Sequence, residues 1–232
     1  MTPPPRSTRF VLLPGAGGAA WYWSRVVPLL ESAGHEAIAV DLPGPDPDAG
    51  LPDYAALAAA AVDTGDREGD DVVLVAQSLG GFTAAMTCAQ VPVRSLLLVN
   101  AMIPVPGETP GEWWGATGAV DAREEAAAAG GYGEFDLEVY FLHDVPPGVA
   151  ADGEAHQRPE SDAVFASACE FDAWPDIPIR VIAGADDRFF PVEFQRRVAK
   201  ERLGLEPEVI PGGHLVALSQ PGAVADLILR GA

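Results

Sequence analysis

Three side chains far apart in the 232-residue chain, Ser78, Asp187 and His214, could act together as a nucleophile, an orienting acid and a proton carrier. Ser78 follows the apolar run Val72 to Ala76, itself preceded by Asp70 and Asp71, and is followed by Leu79-Gly80-Gly81-Phe82. Such a run suits a parallel strand buried on both faces, and Phe82 to Ala89 suits a helix, so Ser78 falls on the bend between them. A strand that turns at once into a helix strains the residue at the bend and leaves no room for bulk two positions away. Ala76 and Gly80 supply that smallness. The bend lifts the hydroxyl clear of the sheet, and the Leu79 amide at the helix start points toward any oxyanion formed beside it.

A serine hydroxyl is barely nucleophilic at neutral pH, so it needs a base. His214 suits that role, since it can accept the proton as the oxygen attacks an acyl carbon and return it to a leaving alcohol. An aspartate behind the ring would fix the tautomer and stabilise the imidazolium. Asp186 and Asp187 both stand at the right place for it. Among the other histidines, His35 follows a helix stop and reads as a surface residue. His143 and His156 fall in a region of irregular rhythm, where His143 borders a pocket without a catalytic role.

The elements around these residues alternate strand and helix. Arg9 to Leu13 reads as a buried strand running into Pro14-Gly15-Ala16-Gly17-Gly18, whose backbone can approach a ligand closely. A helix over Trp21 to Ala33 stops at Gly34. A strand over Glu36 to Val40 ends at Asp41-Leu42-Pro43-Gly44, and Asp53 can cap an alanine-rich helix ending near Asp63. Ser95 to Asn100, Ile179 to Ala183 and Glu208 to Ile210 complete six strands, with a helix beginning near Pro191 and a closing helix over Leu215 to Leu229. Ser78, Asp187 and His214 each follow the carboxyl end of a strand, the side where ligands gather in open parallel sheets. The predicted fold is therefore α/β: a doubly wound, mostly parallel six-stranded sheet over residues 9–100 and 177–232. Residues 1–8 read as a disordered N-terminus.

Between 101 and 176 the rhythm breaks. Repeated prolines, an acidic helix near Asp121 to Ala129 and a Gly-rich break at 130–133 mark an insertion after the fourth strand. Trp113, Trp114, Phe135, Tyr140, Phe141 and Trp174 are too many large apolar groups for a solvated linker, so the insertion should fold over the sheet as a small helical cap. Met102, Trp113, Trp114, Tyr140 and His143 are the candidates for lining a substrate pocket.

A formal charge of −20 argues against nucleic acid or an anionic membrane surface as a partner. Cys88 and Cys169 offer neither a disulfide framework nor metal-ligand spacing and read as buried thiols. No stretch resembles a signal sequence or a membrane span, which predicts a cytoplasmic protein.

The order Ser78, Asp187, His214, the Gly-rich loop at 14–18, Asp41-Leu42-Pro43-Gly44, the bend at Ala76 to Gly80, and Gly184-x-x-Asp187 followed by Gly213-His214 resemble the α/β-hydrolase superfamily. Family spacing selects Asp187 as the triad acid and leaves Asp186 to cap the turn. Within the superfamily the chain is similar to the small methyl-esterase and hydroxynitrile-lyase group, through Pro14 to Trp23 and through Asn100-Ala101-Met102-Ile103-Pro104. The resemblance implies an oxyanion hole from the amides of Ala16 and Leu79, each donor typically worth about 3 kcal/mol. It departs from the pattern at Pro14, where a His usually opens the loop, and at Ala76, where the bend usually has Gly. The lyases of the group place a Thr at the position of Gly15 and a Lys at that of Leu215, so the sequence favours hydrolysis of a small or medium carboxylic ester, without a cofactor or metal. Two other readings are lyase or C–C cleavage chemistry on the same fold and a ligand-binding receptor without catalysis.

Overall fold

The computed structural model describes residues 7–62 and 72–231; the segment before Ser7, the pair Asp70 and Asp71 and the expected helix end at Asp63 lie outside the described residues. Six strands, β1 (Arg9–Leu13), β2 (Glu36–Ala39), β3 (Val72–Gln77), β4 (Ser95–Val99), β5 (Ile179–Gly184) and β6 (Glu208–Ile210), form one sheet in the order β2-β1-β3-β4-β5-β6. All neighbouring pairs are parallel. Because Leu13 pairs with Ala76 and Gln77 with Val99, the loops that begin at Pro14, Ser78 and Asn100 leave the sheet side by side. The chain reverses its direction of travel across the sheet between β1 and β3, the kind of crevice in which ligands bind.

Strand residues alternate between two buried faces, which is why the strands read as unbroken apolar runs. Val11, Leu13, Leu74, Ala76, Leu96 and Leu98 pack against α2 (Leu51–Val62), α3 (Gly80–Gln90) and α8 (Val192–Leu203). Phe10, Leu12, Val73, Val75, Leu97 and Val99 meet α1 (Val27–Ser32), α9 (Val216–Ser219) and α10 (Pro221–Leu229) on the other face. Between β4 and β5 the chain forms α4 (Pro110–Thr117), α5 (Ala119–Gly130), a π-helical turn (Glu138–Leu142), α6 (Pro147–Gly153) and α7 (Asp162–Ala166).

Proline chemistry breaks two of the expected helices. The segment over Trp21 to Ala33 divides into a 3-10 turn (Ala20–Trp23) and α1, since Pro28 has no N–H to donate to the carbonyl four residues back. Pro221 divides the closing helix into α9 and α10 in the same way. Asp53 lies in the first turn of α2 and accepts from the Gly50 N–H at 2.9 Å, so the helix starts two residues before the expected cap. Of the two thiols, Cys169 is buried and Cys88 only partly so. Burial pushes both up to about 12, which keeps them protonated and unreactive. Among the described residues no helix is long and apolar enough to cross a membrane.

Candidate active site

Ser78 has φ +51°, in the left-handed region that a side chain rarely occupies, at a typical cost of about 1–3 kcal/mol. Its surroundings impose that conformation. Its N–H donates to the Val99 carbonyl at 3.3 Å, and its carbonyl accepts from Gly81 and Met102 at 3.0 and 2.9 Å. A Cβ on Gly80 would stand 2.6 Å from the Pro14 carbonyl oxygen, and one on Gly81 only 1.9 Å from that of Met102. The two glycines therefore let the helix start press against both adjoining loops, and the serine takes up the strain.

The structure brings the three distant residues together. His214 Nε2 lies 3.1 Å from Ser78 Oγ, and His214 Nδ1 lies 2.9 Å from Asp187 Oδ2. An ionised carboxylate only accepts, so Asp187 places the ring proton on Nδ1 and leaves Nε2 free to take the serine proton. Asp187 is itself fully engaged: Oδ1 accepts the N–H groups of Phe189 and Phe190 at 2.9 and 2.8 Å, and Oδ2 also accepts from Gln195 Nε2 at 3.2 Å. Phe141, Phe189 and Phe190 surround the imidazole edge-on, with ring centroids 5.2, 5.0 and 5.0 Å from it. Excluding water in this way strengthens the carboxylate–imidazole interaction.

The loop carrying His214 is stitched down by residues with no reacting atom. Asn100, fully buried at φ +45°, donates through Nδ2 to the carbonyls of Gly213 and His214 at 3.0 and 3.1 Å and accepts at Oδ1 from the Gly184 N–H at 2.7 Å. Gln77 adds a bond to the His214 carbonyl at 3.3 Å. Asp186 accepts from the Gly212 N–H at 3.1 Å, so it ties the acid turn to the histidine loop. Gly213 is pressed against the insertion: a Cβ there would stand 2.8 Å from both His143 Nε2 and Asp144 Oδ1.

Gly15 to Gly18 form a tight turn closed by a 3.1 Å bond from the Gly18 N–H to the Gly15 carbonyl. Gly15 must be glycine, because a Cβ would lie 2.6 Å from Gln77 Oε1 and 2.8 Å from Ser78 Cβ. This close approach sets Ala16 on the wall of the Ser78 cavity beside Leu79. Among the described residues neither the Ala16 nor the Leu79 amide donates to an acceptor, so both are free for an anion.

That cavity has a volume of about 180 Å³ and is lined by Met102 and Trp114 together with Phe141, Phe165, Phe189 and Leu215. Three expected lining residues lie elsewhere. Trp113 is fully buried, donates its indole N–H to the Ile103 carbonyl at 3.1 Å and packs on Phe190 and Phe194, because it sits on the inward face of α4. Tyr140 turns toward Tyr132 and Phe135 and donates to the Gly133 carbonyl at 3.0 Å, closing the Gly-rich break. His143 lines a separate cavity behind Asp187, with Asp186 and Arg188. Asn100 and Gln195, which hold the histidine loop and Asp187, leave only a faint signal in the sequence: a polar residue at a strand end, and a Gln beside the apolar positions Phe194, Val198 and Ala199 of α8.

With a parallel sheet, a strained serine at its rim and a caged histidine–aspartate pair in place, comparison with known proteins sets the class. The model of the alpha/beta hydrolase family matches residues 10–227, and the chain belongs to that family. Norfluorocurarine synthase 1 of Strychnos sp is 25% identical over 91% of this chain and 90% of its own length. Methylesterase 3 of Arabidopsis thaliana is 33% identical, over 52% of this chain and 49% of its own. The crystal structure of polyneuridine aldehyde esterase superposes with a TM-score of 0.77 at 21% identity, covering 97% of this chain and 99% of that one, which establishes the shared fold.

Proposed function

We propose that this protein is a serine esterase that cleaves small or medium carboxylic esters through an acyl-enzyme. The observation that carries the reading is the unbroken relay from Ser78 Oγ to His214 Nε2 and from His214 Nδ1 to Asp187, next to two uncommitted amides. Ser78 Oγ would attack the acyl carbon as its proton passes to His214. The carbonyl oxygen would gather negative charge facing Ala16 and Leu79, and the bond from the acyl carbon to the alkoxy oxygen would break as the carbonyl re-forms and His214 gives the proton to the departing alcohol. Water would then repeat the sequence on the acyl-Ser78 carbonyl, releasing the acid. Asp187 stabilises the imidazolium in both halves.

Residues 101–176 act as the cap over this site, and two compartments indicate what it admits. The Ser78 cavity, about 180 Å³ and apolar, suits a ring-sized or short branched group, since about 150 Å³ suffices for a benzene-sized guest. A second compartment of about 350 Å³, lined in part by Trp21, Leu142 and His156, shares Ala16, Gln77, Phe141 and Leu215 with the first. A small acyl or alkoxy group in one and a larger apolar group in the other would place the ester carbon at Ser78. Gly15 and Leu215 weigh against the lyase reading, because this backbone leaves no room for a side chain at the former and the latter gives both compartments an apolar wall.

The test is a hydrolysis panel of p-nitrophenyl and alkyl esters graded by acyl length, with Ser78→Ala as the blank. Turnover should fall by about 10⁴-fold or more in the variant. Wild-type turnover in purified Ser78→Ala would end the esterase reading.

A further inference from the structure

The loop that supplies the Ala16 amide is held from above by two charged residues of the insertion. Gly15 to Gly18 form a β-turn with φ +83° at Gly17, its third residue, which makes it type II. Type I and type II turns differ by a flip of the middle peptide, here Ala16–Gly17, so whatever holds that peptide selects the turn. The Gly17 N–H, which belongs to that peptide, donates to Glu160 Oε2 at 2.8 Å, and the Gly17 carbonyl, part of the next peptide, accepts from Arg158 Nε at 3.0 Å. A Cβ on Gly17 would stand 2.7 Å from the Arg158 carbonyl oxygen, so the insertion backbone lies directly against the turn.

Each clamping side chain is anchored in turn. Arg158 forks onto Asp41, with Nη1–Oδ2 and Nη2–Oδ1 distances of 3.1 and 3.0 Å, and Asp41 Oδ1 also accepts the Ala20 N–H at 2.9 Å. Burial tends to raise the Asp41 carboxyl, but the Ala20 N–H and the Arg158 guanidinium outweigh it and hold the group below its ordinary value. Glu160 Oε1 accepts a hydrogen bond from the buried Tyr54 hydroxyl, so both carboxylate oxygens are fixed. The next residue, Ser161, donates its N–H to the Gly44 carbonyl at 2.9 Å, and a Cβ on Gly44 would meet the Gly17 carbonyl oxygen at 2.5 Å. The segment Arg158 to Ser161 thus seats on the oxyanion turn and on the Asp41 to Gly44 loop at once.

We propose that Glu160 and Arg158 are positioning residues, Glu160 locking the Ala16–Gly17 peptide in its type II orientation and Arg158 holding the Gly17–Gly18 peptide that follows it, so that the oxyanion hole is complete only while this part of the insertion is docked. The proposal rests on the esterase reading for the role of the Ala16 amide. A flipped middle peptide would reverse a dipole one residue from the donor that must meet the oxyanion. The effect falls on the transition state, where the oxygen carries charge, and leaves ground-state binding nearly unchanged. Arg158 supplies a planar fork that a lysine cannot reproduce. A glutamine at 160 keeps an acceptor for Gly17, whereas an alanine leaves that N–H without one.

Steady-state kinetics on a p-nitrophenyl ester, with melting curves for each variant, decide the matter. Glu160→Ala should lower kcat about tenfold to a hundredfold with KM within about threefold, and Glu160→Gln should restore most of the loss. Arg158→Lys, which keeps the charge, should lower kcat about tenfold and provides the reading if Glu160→Ala does not fold. In amide exchange measured by NMR, the Gly17 N–H should be protected in wild type and in Glu160→Gln and should lose protection in Glu160→Ala. Wild-type kcat in Glu160→Ala and Arg158→Lys, or losses carried by KM alone, would overturn the clamp while leaving the esterase reading intact. A wild-type protein that turns over no ester would overturn the esterase reading and the clamp with it.

Discussion

The rim of the sheet and the insertion between β4 and β5 solve the same problem, placing side chains around one oxygen, by different means. At the rim each reacting group follows a strand end, and backbone contacts decide where it points: Ser78 is strained into place, and both oxygens of Asp187 are committed. In the insertion, adjacent residues part company. Trp113 is entombed against Phe190 and Phe194, while Trp114, one position on, lines the Ser78 cavity. On the proposed reading, reactivity is built into the topology and selectivity into the rotation of short helices about their own axes.

That contrast can be broken experimentally, most forcefully at the rim. Asp187→Asn keeps the shape of the side chain but presents the imidazole with the wrong partner; kcat on an activated ester should drop by about 10⁴-fold with little change in melting temperature. A modest drop would mean that another acid steadies the ring. The paired tryptophans come next. Trp113→Ala removes a fully buried side chain and should cost about 3–5 kcal/mol in denaturant titration while leaving acyl-length preference intact. Trp114→Ala should do the reverse, costing much less stability and shifting kcat/KM toward longer acyl groups by about tenfold. Equal stability losses in the two variants would erase the distinction between them.

Asn100→Asp retains the acceptor for Gly184 but strips the donors from Gly213 and His214; a loss of about 2 kcal/mol is expected, again by denaturant titration. The smallest effect concerns pH. Burial outweighs the hydrogen bonds from Tyr54, Gly17 and Ser161 and raises the Glu160 carboxyl above its ordinary value. A raised folded-state value means the native protein holds this proton more tightly than the unfolded chain. The stability it contributes is full below the unfolded value of about 4.3 and is lost as pH rises through the folded one. Lowering the pH from neutral toward that unfolded value should therefore shift the difference in melting temperature between wild type and Glu160→Gln in favour of wild type. A difference that does not vary with pH would show that Glu160 is no better protonated when folded than when unfolded.

The strands and the bend at Ser78 were legible because their causes are local: apolar runs buried on both faces, and small residues where a strand collides with a helix. The order of Ser78, Asp187 and His214 was legible because parallel topology collects strand ends on one edge. The positions of Trp113, Tyr140 and His143 were not, since short helices joined by glycine and proline turns leave open which face meets the sheet. Glu160 and Arg158 were hidden for another reason. They lie in the sequence about 140 positions from Gly17, and a glutamate or arginine in a Pro-rich stretch resembles ordinary surface charge until the fold seats it on a backbone amide.

Asn100 has one more implication, for how molecules enter and leave. Because it fastens the histidine loop to the sheet, with Gln77 and Asp186 adding further ties, that loop is poorly suited to act as a gate. On the proposed reading, the part of the wall left to adapt to an incoming molecule is the insertion's own, where Phe141 and Phe165 line the Ser78 cavity. An enzyme organised in this manner can acquire new clientele through changes overhead while its chemical apparatus stays as it is.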